Sequence, residues 1–392
     1  MTAPESTFQE NRIIGLFPEL LGVGGIQEAG RLTATALSEI ASRHGWSTEF
    51  LSLNDPPGLH SFDSGGRTIA LRGFGRAKVR FALAAIGRAR SCRKDGACIV
   101  LAGHPYLAVP VGWMQRACPR LKTVVMSHGV EVWTPLPSFR RRALLRANLV
   151  LAPSRDTAQK LAHVQGVPSD RIRRLAWPLS PSFLRMAATP ADLTLPEAFP
   201  RQGRSILTVG RWAASERYKG TDELIRAIAQ LRATLPDLHL VAVGGGDDLP
   251  RLRKLAADLA VADCVLFLEN LSREEIAACY AGADLFALPS TGEGFGLVFL
   301  EAMAFAKPVV GAACGGTTDV VEDGINGLLV PPGDAGALAR ALYGLLSDES
   351  LRRELGARGA EIVRQKHGFD AFQAELQSLL ADPRLHEGVG PG

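Results

Sequence analysis

Two carboxylates, Glu293 and Glu301, and the glycines beside the first form the stretch of this sequence best suited to chemistry. Residues 292–297 read Gly-Glu-Gly-Phe-Gly-Leu, and seven residues separate the two glutamates. Glycine lets backbone N–H groups approach a ligand closely, because no Cβ intervenes. A carboxylate repels phosphate but accepts hydrogen bonds from sugar and ribose hydroxyls. The pattern therefore favours a ligand that combines hydroxyl groups with phosphate, while two solvated carboxylates at a helix start are the simpler alternative.

This glycine loop lies between a predicted strand and a predicted helix. Residues 283–288 are an apolar run typical of a short buried strand, which Pro289 ends, and apolar residues then recur at helical spacing from Leu297. A helix that begins there directs unpaired N–H groups and partial positive charge at the loop, which attracts phosphate. The predicted binding loop comprises Gly294, Phe295, Gly296 and Leu297.

Two cations flank a second strand-to-helix loop. Arg211 follows a predicted strand at residues 205–209, and Lys219 precedes a helix that starts near residue 221. A planar guanidinium and a compact ammonium together suit a diphosphate, although two surface cations are the alternative. Gly244 opens a glycine run after the strand at residues 239–243, and we expect it to line the nucleotide side of the same site.

Strands also alternate with helices in the first half of the chain, which predicts a parallel doubly wound sheet with ligands at the carboxyl ends of its strands. His104 and His128 both follow such strands. His104 is more simply structural. Gly24 and Gly25 lie in a loop after the first strand that could cradle an anion or let an acceptor approach, so we add them to the donor-binding residues, with a tight turn as the alternative.

The ten residues from Glu293, Glu-Gly-Phe-Gly-Leu-Val-Phe-Leu-Glu-Ala, resemble the acidic signature of the retaining glycosyltransferases of family four. The resemblance covers most of the chain and is densest at residues 206–334. It implies that Arg211 and Lys219 hold the diphosphate of a nucleotide sugar, that Glu293 holds sugar hydroxyls and that Glu301 holds the ribose. His128, in His-Gly-x-Glu, matches a histidine that lies over the donor sugar.

The resemblance also implies an α/β fold of the GT-B type, with two Rossmann-like doubly wound domains facing each other across a cleft. The expected domains are residues 1–178, which bind the acceptor, and residues 179–365, which bind the donor, with a last helix near residues 366–385 crossing back. Prolines clustered at residues 176–204 indicate the boundary. Asn270 lies where the family has its base-reading loop, but the sequence does not reveal the base.

The resemblance predicts a hexosyltransferase that retains anomeric configuration and moves a sugar from a UDP- or GDP-linked donor to a glycan or lipid-linked acceptor in cell-surface polysaccharide synthesis. No Asp-x-Asp metal motif is present, so we expect no metal and no cofactor. Six scattered cysteines indicate neither a zinc site nor a disulfide framework, which fits a reducing compartment. The start of the chain lacks a signal-peptide pattern, and no apolar run is long enough to span a bilayer. We therefore expect a cytoplasmic protein that could lie at the inner membrane surface.

Charge is distributed unevenly along the chain. Residues 1–190 hold 25 Lys or Arg and 12 Asp or Glu, whereas the remainder holds 19 and 28. The basic clusters are Arg72, Arg76, Lys78, Arg80, Arg88, Arg90, Arg93 and Lys94, and Arg140, Arg141, Arg142 and Arg146. Apolar residues between the first set predict an amphipathic helix that could contact an anionic membrane, with a solvated surface as the alternative. Nucleic acid is not expected, because no binding motif is present.

Three other functions remain open. They are a nucleotide-sugar epimerase or phosphorylase on the same architecture, an NAD-dependent oxidoreductase, and a non-catalytic nucleotide-sugar binding subunit. The missing Gly-x-Gly-x-x-Gly fingerprint argues against the oxidoreductase. The sequence leaves the donor sugar, the acceptor and the oligomeric state undetermined.

Overall fold

The computed structural model describes residues 11–22, 24–92 and 97–385. The chain divides into two compact units: the first runs to Pro178 and resumes at Phe369, and the second runs from Leu179 to Gly368. The basic residues Arg93 and Lys94 lie outside the described residues. No helix in the described ranges is both long and apolar enough to cross a membrane.

The first unit is built on an eight-stranded sheet. Its strands are β1 (Arg12–Phe17), β2 (Ser47–Ser52), β3 (Gly58–Ser64), β4 (Arg67–Gly73), β5 (Cys98–Ala102), β6 (Lys122–Met126), β7 (Leu149–Ala152) and β8 (Ile172–Arg174). The helices between them are α1 (Gly25–Arg43), α2 (Lys78–Arg90), α3 (Ala108–Ala117), α4 (Ser138–Leu144) and α5 (Arg155–His163). The strand order is β3-β4-β2-β1-β5-β6-β7-β8, and every pairing is parallel except that of β3 with β4.

The second unit is built on a six-stranded, all-parallel sheet of order β11-β10-β9-β12-β13-β14. Its strands are β9 (Arg204–Val209), β10 (Leu238–Val243), β11 (Val265–Leu268), β12 (Leu285–Leu288), β13 (Val309–Ala312) and β14 (Gly327–Val330). Its helices are α6 (Pro181–Ala188), α7 (Thr221–Leu231), α8 (Leu249–Asp258), α9 (Arg273–Gly282), α10 (Leu297–Ala304), α11 (Thr317–Val320), α12 (Ala335–Ser347) and α13 (Glu349–Lys366). The chain then returns to the first unit with α14 (Phe369–Leu380).

Hydrophobic pattern explains why these segments are strands. Strands β5, β7, β12 and β13 are buried along their whole length. Parallel strands covered by helices on both faces read as continuous apolar runs, which is how the sequence predicted them. Each sheet reverses its winding direction once, between β1 and β5 in the first unit and between β9 and β12 in the second. Ligands of open α/β sheets bind at such a reversal, beside the carboxyl ends of the strands.

Two features of the first unit were not predicted. The β3–β4 hairpin turns at Gly65 and Gly66, both with positive φ, and adds an antiparallel edge to the sheet. Cys92 and Cys98 are joined by a disulfide, so the expectation that the cysteines form none is wrong for this pair. Cys92 follows the end of α2, and Cys98 is the first residue of β5. Their Cα atoms lie 6.3 Å apart, a separation that a disulfide can span.

Candidate active site

The loops after β9 and β12 meet at the winding reversal of the second sheet. Tyr218, in the first loop, accepts a 2.7 Å hydrogen bond from the backbone N–H of Thr291 in the second. Gly220 has φ 73°, and a Cβ there would lie 2.3 Å from the carbonyl oxygen of Pro289. Only glycine tolerates both this conformation and this close approach. The contact therefore sets the predicted diphosphate-binding loop against the predicted sugar-binding loop.

Arg211 and Lys219 meet at one carboxylate, that of Glu216. Arg211 Nη2 pairs with Glu216 Oε1, and Lys219 Nζ lies 3.3 Å from Oε2. The Arg211 side chain is largely exposed, whereas that of Lys219 is mostly buried beside Gly210. Burial lowers the pKa of Lys219, and the Arg211 charge lowers it further, while Glu293 opposes both. The two cations are thus oriented together by an acid that the sequence analysis left without a role.

An ion network centred on the buried Asp248 anchors this loop to the helices behind it. Asp248 accepts hydrogen bonds from Arg217 in the loop and from Arg251 in α8, at 2.8 Å and 2.5 Å. Arg251 also forms a bidentate pair with Asp222 of α7. The hydrogen bond from Arg251 is the main cause that lowers the pKa of Asp248, to about 2. Because both carboxylates are held at two points, the network limits movement of the loop that carries Arg211.

One carboxylate oxygen of Glu293 has no hydrogen-bond donor beside it in the described part of the chain. This oxygen, Oε1, is buried and accepts no hydrogen bond from the described residues. Burial raises the pKa of Glu293, while the Lys219 charge and a hydrogen bond from Ser290 act in the opposite direction. A buried acceptor without a donor costs free energy unless a ligand supplies one. A sugar hydroxyl is a donor of the required kind.

The backbone of the loop that carries Glu293 is held by a second glycine pair, Gly315 and Gly316, after β13. The N–H of Gly316 donates a 2.8 Å hydrogen bond to the carbonyl of Glu293. A Cβ on Gly316 would lie 2.6 Å from the carbonyl oxygen of Gly294 and 2.7 Å from the nitrogen of Phe295. Gly296 then adopts φ 95° as the N-cap of α10, and Leu297 begins the helix. The predicted binding loop is therefore built by backbone packing that excludes side chains.

Glu301 lies in α10 and is buried. Its Oε2 accepts a 2.9 Å hydrogen bond from the Tyr280 hydroxyl, and its Oε1 lies 3.2 Å from Arg273 Nη1. Arg273 in turn stacks over the ring of Phe183, 4.6 Å from its centroid. The Tyr280 hydroxyl and the Arg273 guanidinium thus orient the carboxylate of Glu301.

The remaining predicted donor residues of the second unit follow β10 and β11. Gly244 has φ 130°, and a Cβ there would lie 1.8 Å from the carbonyl oxygen of Gly210. The buried indole Nε1 of Trp212 lies 3.6 Å from the same position and has no hydrogen-bond partner in the described part of the chain. Asn270, two residues after β11, adopts φ 58°. These residues lie at the carboxyl edge of the sheet, as the prediction requires.

His128 lies in the first unit, after β6. Its ring Nε2 donates a 2.8 Å hydrogen bond to the carbonyl of Gly103, and its backbone N–H donates to Glu131. A carbonyl only accepts, so Nδ1 is the ring nitrogen that can accept a proton or a hydrogen bond. The ring stacks between His104, 5.6 Å away, and Trp177, 5.1 Å away. Two aromatic rings and a carbonyl thus fix its orientation.

His104 and the glycine loop after β1 complete the carboxyl edge of the first sheet. Burial, followed by the charge of His128, lowers the pKa of His104 to about 4, so it is neutral at neutral pH. His104 Nδ1 accepts a 3.3 Å hydrogen bond from the Tyr106 N–H, which supports the structural role expected for it. Gly24 caps α1 with φ 143°, and a Cβ on Gly25 would meet nothing within 4 Å.

The structure brings four of the predicted residues of the second unit, Arg211, Lys219, Glu293 and Gly294, to the reversal point of one sheet. Their roles stay predictions. Sequence reasoning missed Glu216, Trp212 and Tyr280. Glu216 had a signal, because it is the acid enclosed between the two cations, whereas Tyr280 lies 21 residues before Glu301 and only the fold joins them.

Two family models match the chain. Residues 196–362 match glycosyl transferases group 1, and residues 30–176 match Glycosyltransferase Family 4. A GDP-mannose-dependent alpha-(1-6)-phosphatidylinositol monomannoside mannosyltransferase of Mycolicibacterium smegmatis is 33% identical over 286 residues, which are 70% of this chain and 74% of that protein. A D-inositol 3-phosphate glycosyltransferase of Acidothermus cellulolyticus is 33% identical over 73% of this chain and 68% of that protein.

Solved structures agree on the fold. Sucrose-phosphate synthase from Thermosynechococcus elongatus has a TM-score of 0.72 at 22% identity, covering 95% of this chain and 99% of that one. HepE of Anabaena, in complex with UDP-glucose, has a TM-score of 0.69 at 20% identity, covering 94% and 99%. The predicted family and fold class are confirmed. The chain belongs to glycosyltransferase family 4, has the GT-B fold and is a glycosyltransferase.

Proposed function

We propose that this protein transfers a hexose from a UDP- or GDP-linked donor to a hydroxyl of a lipid-linked saccharide, with retention of anomeric configuration and without a metal ion. The observation that carries the proposal is the pairing of Arg211 and Lys219 at Glu216, beside Glu293 and its unsatisfied buried oxygen. Fixed cations suit a departing diphosphate, and an unsatisfied acceptor suits a sugar hydroxyl.

The proposed mechanism is electrostatic. As the bond between the anomeric carbon and the diphosphate oxygen stretches, negative charge accumulates on the diphosphate, and Arg211, Lys219 and the N-terminus of α10 stabilise it. The acceptor oxygen attacks the anomeric carbon from the face that the diphosphate leaves, and the departing phosphate oxygen takes the acceptor's proton. Two cations in fixed positions could perform the charge neutralisation that a divalent metal performs in other enzymes.

Other residues of the proposed site bind the sugar, the nucleotide or a further group of a substrate. Glu293 accepts hydrogen bonds from sugar hydroxyls, and Glu301 accepts them from the ribose. His128 offers Nδ1 to a sugar hydroxyl. Gly244 and Asn270 line the nucleotide. Gly24 and Gly25, which leave open space at the N-terminus of α1, receive an anionic or hydroxyl group of a substrate.

The lipid-linked acceptor is supported by one relative and by charge. That relative is named for a phosphatidylinositol monomannoside, which is a lipid-linked saccharide, whereas the inositol 3-phosphate in the name of the other relative is not a lipid. In this chain, α2 buries Phe81, Ala82 and Ala85 and exposes Lys78, Val79 and Arg80. A helix with this pattern can lie on an anionic bilayer, so we propose peripheral contact with the inner membrane surface.

The function is tested with a panel of UDP- and GDP-sugars. A donor that binds the folded state should raise the melting temperature, and turnover with a lipid-linked acceptor should release the nucleoside diphosphate. Activity should persist in excess EDTA. Binding without turnover across acceptors would indicate a non-catalytic subunit instead, and an EDTA-sensitive reaction would refute metal independence.

Membrane contact is tested separately with vesicles. Vesicles rich in anionic lipid should bind the protein at low salt and release it at high salt, because the Debye length shortens. Arg80→Gln should weaken this binding, while Arg226→Gln, an exposed arginine of the second unit, should not. Equal binding to zwitterionic vesicles, or none at low salt, would count against the contact.

A further inference from the structure

The first unit contains an open groove of about 630 Å³ between α2, α3 and the start of α4. This volume lies in the range of small-molecule sites, about 300–1,000 Å³. Its walls are mainly apolar. The apolar side chains in these walls include Val79, Leu83, Ile86, Trp113 and Phe139.

Several of these apolar side chains are largely exposed to solvent. Val79 is 72% exposed and Leu83 is 64% exposed, and Phe139 is 60% exposed. A cluster of large exposed apolar residues around one groove marks a binding surface rather than scattered surface residues. The groove therefore favours an apolar occupant.

Charge at the groove indicates what the apolar occupant carries. Among the described residues that line it, the charged ones are Lys78 and Arg140, both cations. Arg140 lines the groove together with Tyr106, and its guanidinium carbon lies 5.6 Å from the centroid of the Phe139 ring, which is also part of the wall. An anionic group at this wall would be complemented by Arg140.

The part of the groove at Tyr106 leads towards His128. Tyr106 lines the groove, and its ring centroid lies 4.4 Å from that of His104. The His104 ring stacks in turn on His128 at 5.6 Å. A molecule with its apolar part in the groove would therefore hold its polar end beside the histidine that the proposed function assigns to the sugar.

We propose that this groove binds the hydrocarbon chain of a single anionic lipid acceptor, with the phosphate of its head group at Arg140. The proposal rests on the proposed transfer to a lipid-linked acceptor and names the feature that selects that acceptor. The occupant is one lipid molecule bound by its chain, which differs from adsorption of α2 to a membrane surface.

The test uses the full-length protein and monomeric alkyl phosphates below their micelle concentrations, measured by isothermal titration calorimetry. The Kd should fall from butyl to octyl phosphate by up to about fourfold for each added methylene, the factor expected for complete burial. A Kd that does not change with chain length, or binding that requires vesicles, would overturn the proposal.

Two matched pairs of variants locate the site. Leu83→Asp should weaken octyl phosphate binding by about tenfold or more, whereas Leu59→Asp, at a similarly exposed leucine outside the groove, should leave it unchanged. Arg140→Gln should weaken octyl phosphate by roughly tenfold but leave octanol binding unchanged, and the neighbouring Arg142→Gln should affect neither. Equal effects of Leu83→Asp and Leu59→Asp would contradict the assignment.

The groove and the proposed function can fail separately. If octyl phosphate binds as expected but no nucleotide sugar is turned over, the groove stands and the transferase reaction of this chain is refuted. If a lipid acceptor is glycosylated equally well by the wild type and by Leu83→Asp, the reaction stands and the groove is not its acceptor site.

Discussion

Tyr280 donates a 2.9 Å hydrogen bond to Glu301, and both side chains are buried. A hydrogen bond to a charged group contributes about 1.5–3 kcal/mol, so Tyr280→Phe should lower the free energy of unfolding by roughly that amount. Since Glu301 is proposed to bind the ribose, the KM for the donor should rise several-fold while kcat changes little. Urea unfolding and steady-state kinetics measure both effects. Tyr343→Phe, at an exposed tyrosine, is the control.

Lys219→Ala and Arg211→Ala should each lower kcat by ~10²-fold or more, because each removes a charge that stabilises the leaving diphosphate. Single-turnover kinetics with the identified donor measure the loss. Arg226→Ala, which removes an exposed and loosely paired arginine of α7, should retain normal turnover. Near-normal activity of either site variant would contradict the mechanism.

Glu293→Gln should affect activity and stability in opposite directions. Burial raises the pKa of this carboxyl above 4.5, so the contribution of Glu293 to stability is present below pH 4.5 and is lost as the pH rises through the raised value. At neutral pH the variant should therefore melt at a higher temperature than the wild type, and this difference should shrink on acidification. Its kcat should fall by ~10²-fold, as for other charge-positioning groups.

The control for this experiment is Glu274→Gln, at an exposed residue in the first turn of α9. It should change neither kcat nor the pH dependence of melting. A Glu293→Gln protein that is both active and less stable than the wild type would refute the role assigned to the buried oxygen.

Gly316→Ala should disrupt the loop that carries Glu293. The added methyl group would lie 2.6 Å from the carbonyl oxygen of Gly294, so the backbone must move. We expect lower stability and a clear loss of donor binding in a thermal-shift titration. Gly344→Ala, near the end of α12 where a Cβ meets nothing within 4 Å, should instead stabilise the protein by about 0.5–1 kcal/mol. Equal behaviour of the two variants would show that the close packing is unimportant.

Acid should weaken the first unit through His104. Its pKa is lowered from 6.5 to about 4, so folding favours the neutral ring and the stability this gives is present above pH 6.5. It is lost as the pH falls from 6.5 to about 4, with a slope of at most about 1.4 kcal/mol per pH unit. His104→Asn keeps an acceptor for the Tyr106 N–H but does not titrate, so its unfolding free energy should vary less over this range. An unchanged slope would exclude His104 as the cause.

Much of the fold could be read from local pattern. Parallel strands buried on both faces are continuous apolar runs, so the core strands of both sheets were predicted close to their observed bounds. The spacing of Glu293 and Glu301 and the loop from Arg211 to Lys219 were equally visible, because loops at strand ends carry short, continuous signatures. The β3–β4 hairpin was missed although Gly65 and Gly66 are a typical hairpin turn.

The sequence by itself determined the family, the strand–loop–helix units and the residue types suited to a sugar nucleotide. Only the tertiary structure decided which loops meet, because strand order, not chain order, makes β9 the neighbour of β12. It thereby decided that Glu216 joins Arg211 to Lys219, that Tyr280 orients Glu301 and that α2 and α3 enclose an apolar groove. Such contacts join residues through packing and burial, and neither has a local signature in the chain.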